Sequence, residues 1–289
     1  MPVTRMVIFL LLWGLICPGL LQGQEQPKEQ SIVDQEQLKK EIGKRWNPEK
    51  YDKYPGHLVG RGEEAKAWRE LFTRLIPGKG LKVLDAGCGT GEISFLLAGM
   101  GYEVYGLDIS EKMLAKAKEK AKTRLAGNGG GSVHFQLGDA EKPPFPHGFF
   151  DAVVCKHVLW TLPSPQTALD SWTKILKENG KVIVIDALWD DGSLTTGLRR
   201  KVGQWLRSVM EKEDHRNLYS PAMQAALPNV KGVPLEKARV YLEQAGLQDI
   251  QEVNLNYLST IQKKNMPFWY SVSRNWDYYA ICGQKRALK

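Results

Sequence analysis

The sequence contains few cysteines, with four among its 289 residues. Their spacing is wide and irregular, which argues against both a disulfide framework and a zinc cluster. We therefore expect no bound metal. Cleavage after Gly23 would leave three of them, Cys88, Cys155 and Cys282.

Long hydrophobic runs are also scarce. The longest, Met6–Leu21, has 16 residues, fewer than the roughly 20 that a membrane-spanning helix needs. It follows Arg5 and precedes a polar stretch, a pattern typical of a secretory signal. Residues 1–23 are thus predicted to form a signal peptide or an N-terminal hydrophobic anchor.

Charge of one sign does not dominate, although 40 Lys and Arg residues against 32 Asp and Glu residues give a formal charge of +8. Basic and acidic residues alternate at helical spacing in the segment 111–122, which is typical of a solvated helix face. We therefore expect no nucleic-acid partner. With 43% apolar residues the chain can bury the core of one large or two small domains.

From about Glu36 onward, short β-branched runs alternate with helical patterns, which predicts parallel strands covered by helices. Gly180 is expected to end the helix 165–178 in a left-handed conformation. The predicted strands are 81–86, 103–107, 133–137, 150–156 and 181–187, with two late strands at 250–258 and 278–283.

Residues 81–91, L-K-V-L-D-A-G-C-G-T-G, combine a buried strand, an acid and three alternating glycines. Glycine lets a ligand approach the backbone closely, because it has no Cβ and tolerates positive φ. A plain strand-to-helix turn is the alternative, since such loops often occur without a ligand. Two further acids, Asp108 and Asp139, end the next two strands and should meet Asp85 at one sheet edge, which favours a ligand site.

This pattern resembles the class I S-adenosylmethionine-dependent methyltransferases of small-molecule type, from about Lys82 to Asp186. The resemblance implies a Rossmann-like α/β fold: a doubly wound, mostly parallel seven-stranded sheet with helices on both faces. It also implies S-adenosyl-L-methionine as cofactor and a small-molecule methyl acceptor as partner. The implied cofactor-binding residues are Asp85, Gly87, Cys88, Gly89, Gly91, Asp108, Ile109, Asp139, Ala140 and Lys156.

Two other functions stay open at this point. A nicotinamide-dependent oxidoreductase is disfavoured because its fingerprint is G-x-G-x-x-G and because Asp85 and Glu92 would repel a pyrophosphate. A non-catalytic cofactor-binding module of the same fold is the other alternative, because binding does not establish turnover.

The end of the fourth strand, C-K-H-V-L-W, suggests His157 as a general base. A buried packing histidine is the alternative. Methyl transfer mainly requires alignment of acceptor, methyl carbon and sulfur, so few catalytic residues are expected.

Two flanking regions are expected to shape the acceptor pocket. Residues 24–80 should form an N-terminal helical segment that closes over the cofactor, and the methyltransferase domain, 81–289, should carry a helical lid insertion at about 188–233. Simple aromatic packing would explain the same residues equally well. The candidate pocket residues are Tyr51, Tyr54, His57, Trp160 and Trp189.

The predicted location contains a conflict. The N-terminal segment favours export or a membrane tether, whereas the methyl donor is made in the cytoplasm. We expect a cytoplasmic catalytic domain with a possible N-terminal tether. The acceptor and its nucleophilic atom are left open.

Overall fold

The computed structural model describes residues 34–54, 56–59, 62–125, 130–211, 218–274 and 277–287. The predicted signal or anchor, residues 1–23, lies outside these ranges. Residues Glu36–Lys289 form one compact unit. Within the described ranges no helix is long and apolar enough to cross a membrane.

Seven strands and eleven helices are described, and their bounds follow. The strands are β1 (Lys82–Ala86), β2 (Glu103–Asp108), β3 (Ser132–Leu137), β4 (Phe150–Lys156), β5 (Leu176–Leu188), β6 (Gln248–Asn254) and β7 (Asp277–Gln284). The helices are α1 (Gln35–Arg45), α2 (Pro48–Lys53), α3 (Glu63–Leu75), α4 (Glu92–Gly99), α5 (Glu111–Arg124), α6 (Pro165–Ile175), α7 (Leu194–Glu211), α8 (Pro221–Ala226), α9 (Leu235–Gln244), α10 (Asn256–Lys264) and α11 (Phe268–Ser271).

The strands form a single sheet in the order β3-β2-β1-β4-β5-β7-β6. Strands β1 to β5 are parallel, and β7 is antiparallel to both of its neighbours. This confirms the doubly wound, mostly parallel fold expected from the sequence. The central strands β1 and β4 consist largely of buried apolar residues because helices cover both faces of the sheet.

Two hydrophobic clusters hold these layers together. One packs α3, α4 and α10 on one face and includes the fully buried Trp68 and Phe72. The other packs α6 and α9 on the opposite face and includes Leu169 and Trp172. The strand order reverses between β1 and β4. The connection after β1 therefore runs towards one edge of the sheet, and the connection after β4 runs towards the other. A crevice forms at such a switch point, beyond the carboxyl ends of the two strands.

Two local expectations are wrong. Helix α6 ends at Ile175, earlier than expected, because the chain enters β5 directly at Leu176. The left-handed residue is Asn179, with φ of 64°, and not Gly180. Asparagine tolerates this conformation because its short polar side chain can hydrogen-bond locally.

The late strand expected at 250–258 is the second correction. Strand β6 ends at Asn254 and helix α10 begins at Asn256. The Asn254 side chain accepts a hydrogen bond from the Asn256 N–H at 2.8 Å, which turns the chain out of the sheet. Leu255 and Leu258 are fully buried against the helical layer, so their apolar character reflects helix packing.

The insertion at about 188–233 is helical, as expected, and contains α7 and α8. Its role as a lid stays a prediction.

Candidate active site

The glycine-rich loop after β1 has a conformation that favours glycine. Gly87, Gly89 and Gly91 have φ values of 71°, 56° and 86°, a region that L side chains rarely adopt. A Cβ on Gly87 would lie 2.5 Å from a methyl carbon of Val158. The loop therefore combines a left-handed backbone with close packing against the segment that follows β4.

Asp85 lies behind this loop, at the end of β1. Its carboxylate is 2% exposed and accepts a hydrogen bond from the Ser94 hydroxyl at 2.5 Å. Burial raises the pKa of Asp85 to about 7, because a charged carboxylate is costly away from water. The side chain thus supports the loop from beneath.

Asp108 ends β2 and connects it to the loop. One carboxylate oxygen accepts the Gly89 N–H and the other accepts the Ser110 N–H, both at 2.8 Å. Burial raises the pKa of this carboxyl while the backbone hydrogen bonds oppose the rise. Each oxygen retains a lone pair for a further donor, so a fixed bidentate acceptor faces the crevice.

Asp139 is paired with a residue that the sequence analysis did not identify. The Lys39 ammonium of α1 lies 2.7 Å from Asp139 Oδ2 and 2.7 Å from Glu141 Oε2. Lys39 is 4% exposed and Glu141 is 1% exposed. In the sequence Lys39 belongs to a run of charged residues typical of a solvated helix face, so only the fold reveals its burial.

A cavity that opens to solvent lies at the crevice. The predicted residues that line it are Tyr51, Gly87, Gly89, Asp108, Ile109, Asp139, Ala140, Lys156 and His157. Asp85, Cys88 and Gly91 are not among the described residues that line the cavity wall.

Other lining residues were missed in the sequence. Ile42 and Trp46 follow Leu38 at intervals of four, a helical spacing that could have identified them. The rest lie in the loop after β4 or, for Lys39 and Met113, in helices α1 and α5, where periodicity carries no signal for a ligand. The missed lining residues are Lys39, Ile42, Trp46, Met113, Val158, Thr161, Leu162 and Pro163.

Lys156 brings a buried positive charge to the cavity from the end of β4. Its ammonium lies 3.5 Å from the carbonyl oxygens of Gly56 and His57 and 5.9 Å from the centroid of the Trp68 ring. Burial, together with the nearby Arg274, lowers the pKa of Lys156 to about 8. An anionic ligand group would stabilise this ammonium.

His157 follows Lys156 and is held in a strained conformation, with φ of 56°. Its ring stacks on Tyr278 with centroids 5.4 Å apart. Its Nδ1 lies 3.5 Å from Oδ1 of Asp186, a fully buried carboxyl at the end of β5. Burial, with Lys156 and Arg274 nearby, lowers the pKa of His157 well below its usual range, so the ring is neutral at neutral pH.

The other predicted pocket residues form aromatic groups around the cavity. Tyr51 stacks on His57 at 3.9 Å, and Tyr54 lies 4.6 Å from the same ring. Trp160 and Trp189 meet edge to face at 5.3 Å. Tyr51 lines the cavity itself, whereas Trp189 lines a separate groove between α7 and α10.

A polar cluster fixes α2 against the glycine-rich loop and was also missed in the sequence. The Lys120 ammonium lies 2.8 Å from Asp52 and 3.0 Å from both Thr90 Oγ1 and Glu92. Thr90 also donates to Asp52 at 2.7 Å. The segment that carries Tyr51 is thereby attached to the loop.

Residues 84–184 match a family model described as "Methyltransferase domain". The chain is 37% identical over 123 residues to a demethylmenaquinone methyltransferase of Geobacillus sp. (strain WCH70), covering 41% of this chain and 51% of that protein. It is 32% identical over 123 residues to the O-methyltransferase cnsE of Penicillium expansum, covering 42% and 44%. The chain thus spans about half the length of these relatives.

Solved structures share the fold at low sequence identity. A Haemonchus contortus phosphoethanolamine N-methyltransferase 2 in complex with S-adenosyl-L-methionine has a TM-score of 0.58 at 18% identity, covering 84% of this chain and 58% of that chain. The [4+2]-cyclase SpnF has a TM-score of 0.52 at 18% identity, covering 80% and 86%. Because SpnF is a cyclase by name, this fold alone does not determine the reaction.

Proposed function

We propose that this chain, whose residues 84–184 match a family model described as a methyltransferase domain, transfers a methyl group from S-adenosyl-L-methionine to a small-molecule acceptor. The observation that carries this proposal is the arrangement of Asp108, the glycine-rich loop and Asp139 around one cavity at the switch point of the sheet. The match to the methyltransferase relatives supports it.

The cavity residues fit the donor group by group. Asp108 presents two fixed carboxylate oxygens to the ribose hydroxyls. Ile109 offers an apolar surface to the adenine, and Asp139 an acceptor to its amino group. Lys156 is a buried cation suited to the methionine carboxylate. When bound, the donor supplies an activated methyl group on a sulfonium.

The charge around the loop favours this donor over a nicotinamide dinucleotide. The buried carboxyl of Asp85 and the 7% exposed Glu92 lie beneath the loop and at the start of α4. A sulfonium and an ammonium are compatible with these acids. Because Lys120 pairs with Glu92 and the pKa of Asp85 is about 7, the acids repel a pyrophosphate at this helix terminus only in part.

The acceptor we propose is a flat, apolar small molecule. The aromatic groups around Tyr51 and Trp160 support this choice, as do the names of the demethylmenaquinone and O-methyltransferase relatives. His157 is neutral and lines the cavity, so it can accept a proton from a protic acceptor. The segment 24–80 would close the cavity through Ile42, Trp46 and Tyr51.

Calorimetric titration of the full chain with S-adenosyl-L-methionine, and separately with NAD, tests the cofactor. We expect the methyl donor to bind, and Asp108→Ala to weaken it by about 2 to 3 kcal/mol, because the ribose hydroxyls lose a charge-assisted partner. Asp191→Ala, at an exposed carboxylate, is the control. Binding of NAD in place of the donor would favour the nicotinamide-dependent oxidoreductase over the methyltransferase.

Donor binding without methylation of any screened acceptor would instead favour a non-catalytic cofactor-binding module. The signal or anchor role of residues 1–23 and the cytoplasmic location are tested separately, by fractionation of the native host. Finding the intact domain only outside the cytoplasm would contradict the expected location.

A further inference from the structure

Helix α7 displays an apolar stripe to solvent. Leu194, Leu198, Val202, Trp205 and Val209 recur at intervals of three and four, so they share one face of the helix. Their exposed fractions are 92%, 65%, 39%, 62% and 54%. We call these five residues the α7 stripe.

The opposite face of α7 faces the protein. Gly203 is the buried residue of this helix, and a Cβ on it would lie 2.7 Å from Cβ of Ser273. Arg207 donates to the Ser273 hydroxyl at 2.9 Å, and Glu211 accepts from Trp269 at 3.0 Å and Tyr270 at 2.9 Å. The helix is therefore docked through its polar residues and leaves its apolar face outward.

This orientation is the reverse of an ordinary surface helix, whose apolar face contacts the core. A contiguous exposed apolar surface of this kind marks an interaction site. Phe268, in the neighbouring α11, is also 58% exposed.

The charges on α7 indicate what covers the stripe. The helix carries four basic residues and one acidic residue, Glu211. At helical spacing Lys201 and Arg199 flank the stripe. Arg200 is paired with Asp190, and Arg207 contacts Ser273 on the docked face. An amphipathic helix with a large apolar face and basic flanks is typical of a segment that lies in the interface of an anionic bilayer. Trp205, in the middle of the stripe, is a residue type enriched at membrane interfaces.

A second copy of the chain suits this surface less well. A helix of 18 residues is about 27 Å long, and one face about 10 Å wide offers roughly 270 Å² per protomer. A stable dimer buries about 800 Å² per partner. An antiparallel pair of α7 helices would also bring the two Lys201 ammonium groups together near the two-fold axis.

We propose that the α7 stripe docks the protein onto the surface of an anionic lipid bilayer, with the stripe among the acyl chains and the flanking basic residues near the lipid phosphates. This contact involves described residues of the compact unit, separately from the apolar run Met6–Leu21. It does not depend on the proposed methyl transfer.

The test uses the full chain with vesicles of phosphatidylcholine, with and without phosphatidylglycerol. Because the run Met6–Leu21 can itself bind lipid, total binding is not the decisive signal. Backbone amide deuterium exchange resolves α7 directly. We expect anionic vesicles to slow exchange in residues 194–211 and neutral vesicles to have a smaller effect.

Two double variants sharpen the test. Leu198→Ser with Trp205→Ser removes the centre of the stripe, and we expect it to reduce the protection of α7 about tenfold. Val240→Ser with Tyr257→Ser changes apolar residues that are each 44% exposed on other helices. This control should retain the protection of α7.

Unchanged exchange in α7 with anionic vesicles would overturn the proposal, and so would equal protection by neutral vesicles. A concentration-dependent dimer in lipid-free solution, abolished by the stripe variant, would identify a second copy as the occupant and would also overturn it. Each result is independent of donor binding, which tests the proposed function.

Discussion

At His157 the backbone takes a left-handed conformation that histidine rarely adopts. The register of β4 with β5 pairs Lys156 with Ile185, which brings His157 beside Asp186. The ring is thereby held between Tyr278 and the cavity. Strain of this kind persists where the surrounding structure fixes it, often at functional sites.

His157→Asn separates the catalytic role from the packing role, because asparagine tolerates the left-handed backbone and lacks a base. We expect kcat to fall about 100-fold, while the Kd for the methyl donor stays unchanged. Transfer of a labelled methyl group to an acceptor found by screening measures kcat, and calorimetry measures Kd. His134→Asn, on an outer strand, is the control. Equal losses in kcat and donor affinity would contradict the assignment.

The protonation of Asp186, which lies beside His157, affects the stability of the folded protein. Burial raises its folded-state pKa to about 8 from an ordinary value of 3.8, so the folded protein binds more protons at this carboxyl than the unfolded chain. As the pH rises from about 4 to about 8, the unfolded chain loses this proton while the folded protein keeps it. The free energy of unfolding therefore falls progressively over this range.

Asp186→Asn removes this cost. We expect thermal melts to show the variant gaining stability relative to the original protein as pH rises from 4 to 8, by on the order of 6 kcal/mol, with no further change above pH 8. A difference that is constant across this range would show that Asp186 is ionised throughout in the folded state.

At the scale of the secondary-structure elements, the glycine-rich loop depends on its neighbours. Its amides at Gly87 and Cys88 donate to the Leu107 carbonyl at 2.7 and 3.0 Å, and Gly89 donates to Asp108. The loop is thus fixed by β2, and Val158 covers it from the end of β4. Two strands and a loop define one wall of the cavity.

Gly87→Ala tests this packing. The added Cβ meets Val158 at 2.5 Å, and the positive φ is strained for alanine. We expect a loss of about 2 kcal/mol in unfolding free energy and weaker donor binding. Adding Val158→Ala should restore part of the stability, because it removes the clash but not the backbone strain. Denaturant titration of both variants measures this, and a full rescue would show that the strain is negligible.

At the scale of the whole molecule, the N-terminal helix belongs to the same compact unit as the sheet. Lys39 of α1 neutralises Asp139 and Glu141 at the end of β3, about 100 residues away in sequence. Burial lowers the pKa of Lys39, but the hydrogen bonds that its ammonium donates to Asp139 and Glu141 outweigh this and raise the pKa above its usual value. The ion pairs therefore persist across the neutral range.

Lys39→Met leaves the buried Glu141 without this cation. We expect the free energy of unfolding to fall by about 3 kcal/mol, since a buried charge that loses its partner is costly. Lys40→Met changes the adjacent exposed lysine and should have little effect. Thermal melting compares the two, and equal Tm values would show that the Lys39 ion pairs contribute nothing to the stability of the unit.

The fold, and many of the residues that line the cavity, could be predicted from the sequence. Strand β4 begins and ends where expected, because it is a short apolar run between the proline-rich loop 142–149 and a polar exit at Lys156. The end of α6 and the helix that begins at Asn256 were predicted wrongly. Local apolar patterns do not distinguish a short strand from a buried helical turn, and this limits prediction from the sequence.

The sequence by itself determined the glycine-rich loop, the two acids Asp108 and Asp139, and the parallel sheet that brings them to one edge, because these follow from local conformation and strand periodicity. Only the tertiary structure decided that Lys39 is buried against Asp139, that Asp186 lies beside His157, and that α7 presents its apolar face to solvent. Each of these depends on contacts between residues distant in sequence, and a side chain's own chemistry does not specify which neighbour it meets.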